Sequence, residues 1–198
     1  SNSNPTLTHV AISGNYAGYG GGIYIKDSNP ILMDVSITNN QAILNYSYGG
    51  GGGMYLINSN PFLKQVTISD NIADDDGGGM FLSNSNPILS NVIISGNMAD
   101  LKGGGMYFHL DSELSFASEI IISSNYSVGH GGGIFLSSGS NINLQHSTIA
   151  GNMVGEGDVF GAGIYSDGGT ANLVNSIVYY NRREGDFGIN YNLNGYTM

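Results

Sequence analysis

Asn84-Ser85-Asn86-Pro87-Ile88-Leu89, then Asn91-Val92-Ile93-Ile94-Ser95-Gly96-Asn97, then Gly103-Gly104-Gly105-Met106-Tyr107: this run decides the fold, because nearly every other segment is a variant of it. A repeat has to be recognised first, since missing one mis-assigns the whole architecture. The Ile-x-x-Asn element recurs as Ile12/Asn15, Ile37/Asn40, Ile68/Asn71, Ile94/Asn97, Ile122/Asn125 and Ile149/Asn152, with Val178/Asn181 as a seventh copy. Successive asparagines stand 25, 31, 26, 28, 27 and 29 residues apart. Each is followed by a glycine run ending in an apolar residue: Gly20 to Ile23, Gly51 to Met54, Gly77 to Met80, Gly103 to Met106, Gly131 to Ile134 and Gly161 to Ile164, with Gly188-Ile189 as a degenerate last copy. Seven coils follow, spanning 1–25, 26–56, 57–82, 83–108, 109–136, 137–166 and 167–191.

Within a coil the apolar residues come in groups too short for helices. Ile23 and Ile25 flank Tyr24, Met80 and Leu82 flank Phe81, and Met106 and Phe108 flank Tyr107. That period of two is the strand signature, with the aliphatic residues facing in and the aromatic facing out. Val10/Ile12, Val35/Ile37, Val66/Ile68 and Val92/Ile94 make a second strand, and a third is centred on Leu7, Leu32, Leu63, Leu89, Leu144 and Leu173. Three short strands per coil predict an all-β, right-handed parallel β-helix of seven coils. No coil buries its apolar face alone, whereas coils stacked ~4.8 Å apart share one core, giving a rod roughly 30–35 Å long.

Asn15, Asn40, Asn71, Asn97, Asn125, Asn152 and Asn181 are expected to stack as a ladder at one corner. A carboxamide has two donors and an acceptor with two lone pairs, so it bonds its copies above and below. A second stack is expected of Asn4, Asn29, Asn60, Asn86 and Asn141. The first four precede Pro5, Pro30, Pro61 and Pro87, whose rings fix φ at that corner. The fifth coil is the least regular, with extra residues in Asp111–Glu119 that predict a bulge, and in the seventh Thr170 replaces the first corner asparagine.

The paired Ile-x-x-Asn and Gly-Gly-Gly-Ile/Met elements resemble the Phe-x-x-Asn and Gly-Gly-Ala-Ile repeats of the chlamydial polymorphic outer-membrane proteins. They are also similar to bacterial surface adhesin passengers within the pectate-lyase-like β-helix superfamily. The likeness covers essentially the whole chain, with Ile or Val in place of Phe and no Ala at the third position of the glycine run. It implies a secreted or surface-attached structural and adhesive region with no catalytic residues to carry over.

Because the repeat runs from end to end, residues 1–198 are read as a single domain. Glycine, 32 of 198 residues, sits at fixed phase beside apolar residues, which is unlike a flexible linker. The chain has no cysteine, hence no disulfide or thiolate metal site. A formal charge of −10 with five Lys plus Arg argues against nucleic acid and anionic membrane surfaces as partners. No run of 18 apolar residues exists, so membrane insertion of this segment is not expected. Ser1 already lies inside a repeat, so the chain is expected to follow a removed signal peptide or to be part of something longer.

Two surface features stand out. Asp74, Asp75, Asp76 and Asp100 occupy equivalent loops of adjacent coils and are a candidate Ca²⁺ site, the one cofactor considered, set against a plain solvated acidic loop. Tyr24, Tyr55, Phe81, Tyr107, Phe135 and Tyr165 form an aromatic column, one ring per coil, either stacking for stability or serving as a contact surface for glycans or proteins. Catalysis is not expected. Asp75-Asp76 and Gly129-His130-Gly131 resemble two short polygalacturonase motifs, but Asn-Thr-Asp and Arg-Ile-Lys are absent. Asp76 with Asp100 is the candidate acid pair, with Lys102 the candidate base, and the four histidines are read as occupying different coil positions.

The expected function is a non-enzymatic extracellular or cell-surface β-helix, structural and adhesive. Its partners are glycans, surface proteins or further copies joined end to end into a filament. The alternative is a polysaccharide-binding or polysaccharide-cleaving module.

Overall fold

Alternation of inward aliphatic residues with outward polar or aromatic ones makes each coil a set of short strands. Every strand pairs in parallel with its copy one coil on, so Ile12 aligns with Ile37, Ile37 with Ile68 and Ile68 with Ile94. The computed structural model describes residues 3–43, 50–186 and 192–194, and among them there is no helix. Three sheets wall a parallel β-solenoid with asparagine ladders, each followed through seven strands. The longest sheet runs from Thr6–Thr8 to Thr170–Val174, the second from Tyr16–Ala17 to Arg182–Arg183, and the third from Ile23–Lys26 to Leu193–Asn194.

The three-strand coil is as the sequence predicts, but its membership differs. The Leu-centred strand and the Val-x-Ile strand belong to one sheet and fuse in the middle coils, as Phe62–Ser69, Ile88–Ser95 and Glu113–Ser123. A single left-handed residue, Gln65 (φ 55), Asn91 (φ 54) or Glu119 (φ 59), bends each fused strand without breaking the ladder of backbone bonds. The third strand is instead a two-residue piece after each ladder asparagine, such as Ile72–Ala73 and Met98–Ala99, which the sequence reading assigns to no strand. Two residues are too few for a periodicity to show. Inside, Ile37, Ile68, Ile94, Ile122 and Ile149 form one fully buried column, with Leu56, Leu82, Phe108 and Leu136 facing them.

The asparagine ladder is continuous. Nδ2 of Asn15, Asn40, Asn71, Asn97, Asn125 and Asn152 each donates to Oδ1 of the next at 2.9–3.0 Å. From Asn40 onward the second Nδ2 proton goes to an isoleucine carbonyl one coil back, as Asn97 does to Ile68 O at 3.0 Å. Each Oδ1 along the run also accepts the backbone N–H of the preceding asparagine, as Asn125 Oδ1 does from Asn97 N at 3.0 Å. Every polar valence of the buried amides is used, which is what burial of such a group demands. The glycine run serves the same corner: a Cβ on Gly105 would lie 2.5 Å from Gly133 O and 3.0 Å from Asn125 Nδ2.

At the last rung the ladder ends unexpectedly. Asn181 Nδ2 donates to Oδ1 of Asn192 at 3.0 Å, and Leu193 pairs with Ile164. Asn192 thus occupies the place of a run glycine and reaches back to close the ladder. Gly188-Ile189, the expected last copy, lies outside the described residues.

The second stack is corrected at its fifth member. Backbone N–H groups of Asn60, Asn86 and Ser115 donate to Oδ1 of Asn29, Asn60 and Asn86 at 2.6, 2.7 and 3.0 Å. Ser115, not Asn141, follows Asn86, because the fifth coil shifts register between Leu114 and Ala117 as its extra residues predict; Asn141 aligns with Glu113 and Thr170. Beside this stack runs a buried serine ladder that the sequence reading missed: Ser28 N to Ser59 Oγ, Ser59 N to Ser85 Oγ and Ser85 N to Ser112 Oγ, at 3.2, 3.1 and 3.4 Å. Its signal was in plain view, a serine between the two polar residues of Asp27-Ser28-Asn29, Asn58-Ser59-Asn60 and Asn84-Ser85-Asn86.

Candidate functional site

The third sheet carries the aromatic column on its outer side, and the six rings stack in sequence. Ring centroids are 5.7 Å apart from Tyr24 to Tyr55, 4.5 Å to Phe81, 5.0 Å to Tyr107, 5.1 Å to Phe135 and 5.2 Å to Tyr165, with interplanar angles of 4–28°. Near-parallel rings this close use their faces on one another, so the column turns its edges and hydroxyls outward. Between neighbouring members the ring faces are taken up by one another.

Exposure also divides the column. Tyr24 is 48% exposed and Tyr55 and Phe81 are half-buried, whereas Tyr107 and Phe135 fall to 7% and 2%. The segments between each ladder asparagine and the glycine run that follows it decide this. Ser127 replaces the buried alanine found at Ala42, Ala73 and Ala99, and its hydroxyl donates to Leu101 O at 2.8 Å. The loop so anchored lays the Lys102 ammonium over the Phe135 ring at 4.9 Å. One coil on, His130 stacks on Tyr165 at 4.5 Å and accepts from Phe160 N at 3.0 Å.

Below this cover lies a cleft of about 420 Å³ lined by Tyr19, Gly50, Tyr55, Asp75, Asp76, Phe81, Ser83, Tyr107, His109 and Leu110. Tyr19 stands edge-to-face against Tyr55 at 5.2 Å, and His109 packs on Phe81 and Tyr107 at 5.9 and 6.0 Å. Gly50 is needed for the close approach, since a Cβ there would lie 2.8 Å from the Phe81 ring. Burial pushes the Asp76 carboxyl up to about 7, with the Asp75 charge adding to the effect and Lys102 opposing it. Asp76 Oδ1 is buried with no hydrogen-bond partner. Burial, then neighbouring Tyr19, Tyr24 and Asp75, pushes the Tyr55 phenol up to about 12. Tyr107 is raised by burial and then by Asp76 and Asp75, and burial lowers His109.

The acidic group does not act as one. Asp100 N donates to Ala73 O, Leu101 N to Asp75 O and Gly77 N to Lys102 O, at 3.0, 3.0 and 2.9 Å. Asp74 therefore lies over Asp100, Asp75 over Leu101 and Asp76 over Lys102. Asp74 accepts from Gln41 Nε2 at 3.3 Å, and Asp100 is raised by burial and by Asp74, while Asp75 and Asp76 turn to the aromatic side. Among the described residues no three His, Cys, Asp or Glu side chains gather as a metal group. The Asp76–Asp100 acid pair is split in the same way. The histidines need one correction: His9 (φ 56) and His146 (φ 49) share the same left-handed corner, five coils apart.

Tyr19, Gly50, Ser83 and His109 were not singled out from the sequence, because their roles come from loop packing rather than repeat phase. An apolar row on the long sheet was missed as well. Ile31, Phe62, Ile88 and Phe116 align rung on rung, with Ile31, Ile88 and Phe116 exposed.

Searches of curated proteins and of solved structures find no match. A family model described as "right handed beta helix region" matches residues 1–182, nearly the whole chain, and supplies the handedness of the solenoid. The repeat spacing, the parallel rungs and the asparagine ladder agree with that match: the chain belongs to the right-handed β-helix family.

Proposed function

We propose that this β-helix is a non-enzymatic recognition module of the cell surface or extracellular space, binding a saccharide in the cleft beside the open half of the aromatic column. The observation that carries the reading is the lining: carboxylates of Asp75 and Asp76, phenols of Tyr55 and Tyr107, the Ser83 hydroxyl and the His109 imidazole, over a floor of ring edges. A few convergent polar groups on an apolar floor are what a hydroxyl-rich ligand needs. Support for the extracellular placement is the resemblance of the repeats to surface passenger regions. Recognition is preferred to cleavage because the expected acid pair belongs to opposite sides of the loop and Lys102 is committed to the Phe135 ring.

Calorimetry with a panel of oligosaccharides, with and without Ca²⁺, tests this. Binding weakened by Asp75→Ala and Tyr107→Phe is expected, without turnover. Turnover abolished by Asp76→Ala would replace recognition with catalysis.

A further inference from the structure

The apolar row on the long sheet is symmetric about its fourth coil. Phe62, Ile88 and Phe116 stack on coils three to five, with Ile31 on coil two, Thr6 before the row and Asn143 on the sixth coil beyond it. Ile31, Ile88 and Phe116 are 38%, 43% and 56% exposed. A contiguous exposed row of this kind marks a contact surface more often than a bare one. Beside it run Met33, Lys64, Ser90 and Ser118, and then, at the left-handed bend, Asp34, Gln65, Asn91, Glu119 and His146. Lys64 and Glu119 are exposed and form no ion pair among the described residues. They stand two coils apart, roughly 10 Å along the axis.

That arrangement is complementary to itself when inverted. A second copy, rotated by a half-turn about an axis in the plane of this face and along the strands of the fourth coil, brings coil three onto coil five and coil two onto coil six. Phe62 then meets the partner's Phe116, and Ile88 meets the partner's Ile88. Lys64 comes level with the partner's Glu119, and Asp34 with the partner's His146, so opposite signs face each other and like charges do not. A copy laid parallel does the reverse: Lys64 stays two coils from the partner's Glu119, and each carboxylate comes level with its own counterpart. Charge placement of this kind fixes register and suppresses the wrong arrangement. We infer that this face joins two copies of the chain as an antiparallel dimer centred on Ile88. Such a contact is isologous and closes on itself. It goes beyond the saccharide reading and does not depend on it, since the row lies on the long sheet and the cleft outside the third. The pairing presents two clefts on one particle, which raises avidity for a repetitive ligand. A face of five coils is about 20 Å long, smaller than a standard interface, so the dissociation constant is expected on the order of tens of micromolar.

The test is sedimentation of the full chain from ~1 µM to ~1 mM, where a monomer–dimer equilibrium is expected. Glu119→Lys takes the formal charge from −10 to −8, so general repulsion alone would tighten association, whereas the pairing predicts a ~10-fold weaker dimer. Lys64→Glu should weaken it as much. An equimolar mixture of the two variants should dimerise as the unaltered chain does, because each supplies the charge that the other lacks, and that rescue also shows both to be folded. The chain has no cysteine, so orientation can be read by mild oxidation with copper phenanthroline. Ile88→Cys should cross-link to itself, and Phe62→Cys should cross-link to Phe116→Cys in preference to itself. A monomer across the whole range, unchanged or tighter association of Glu119→Lys, a mixture no tighter than its components, or Phe62→Cys cross-linking chiefly to itself overturns the inference. None of these outcomes bears on saccharide binding, which calorimetry measures separately.

Discussion

The asparagine corner and the aromatic side of the solenoid are both written once per coil, yet they end in opposite states. At the corner every donor and acceptor is consumed inside the protein: Asn97 alone exchanges bonds with Asn71, Asn125 and Ile68. On the aromatic side the rings satisfy one another, but around Tyr55 and Phe81 the loops leave a cleft, and beside it Asp76 Oδ1 is buried without a hydrogen-bond partner. A repeat that closes on itself stabilises. One that is interrupted by its loops leaves polar groups unmatched.

The sharpest way to break that comparison is to crowd the corner. Gly105→Ala puts a methyl 2.5 Å from Gly133 O, against backbone that cannot move without breaking the rung. A loss of several kcal/mol is expected, at the high end for overpacking. Denaturant unfolding measures it, and a loss under ~1 kcal/mol would show that the corner has slack. Next in size, Asn97→Ala strips Asn71 Nδ2 and Asn71 N of their acceptor in a fully buried site. At ~1–3 kcal/mol for each orphaned group, about 3 kcal/mol and a melting temperature some ~6–12 °C lower are expected. Asn172→Ala, on an exposed side chain that donates to Asn143, should do almost nothing. Equal effects at the two positions would remove the ladder from the stability account.

On the aromatic side the expected effects are smaller. Phe81→Ala removes two stacking contacts, at 4.5 and 5.0 Å, from a half-buried ring. About 2 kcal/mol is lost, with saccharide affinity lost as well, because the ring is the cleft floor. Stability lost with binding intact would mean the column is structural only. Asp76→Asn changes stability with the opposite sign. Burial pushes the folded carboxyl up to about 7 from the 3.8 of the exposed group in the unfolded chain, so between those values the folded state holds a proton that the unfolded chain releases. Stability from this group is full below the lower value, falls as pH rises to about 7, and is flat above. Asp76→Asn should flatten that slope and melt higher above neutral pH. A melting curve with the same pH slope in both proteins would place the titration elsewhere.

How much of this was legible follows from where each property originates. Ile94, Asn97 and Gly105 act through phase: their neighbours are their own copies, so recurrence in the sequence is recurrence in space. That is why the parallel β-helix and the seven-member asparagine ladder could be read directly. The serine ladder was equally legible and was overlooked beside the asparagines flanking it. Ser115 was not legible, because two extra residues in the fifth coil shift register, and a one-dimensional alignment cannot say where the excess is absorbed. Asn192 was hidden for a related reason, since it serves the ladder from a glycine's position only 11 residues after Asn181.

By itself, then, the sequence determined the solenoid, its rung spacing, its buried amide corner and the stacked order of its six rings, because a period of about 26 residues forces like onto like. Only the tertiary structure decided which rings are covered, how Asp74 and Asp100 part from Asp75 and Asp76, and where a cleft opens. Those depend on loops whose lengths and residues differ from coil to coil. Ser127 in place of an alanine ties one loop down over Phe135, and Gly50 lets another approach Phe81. Loop packing is set by such single contacts across rungs, and no periodicity records them.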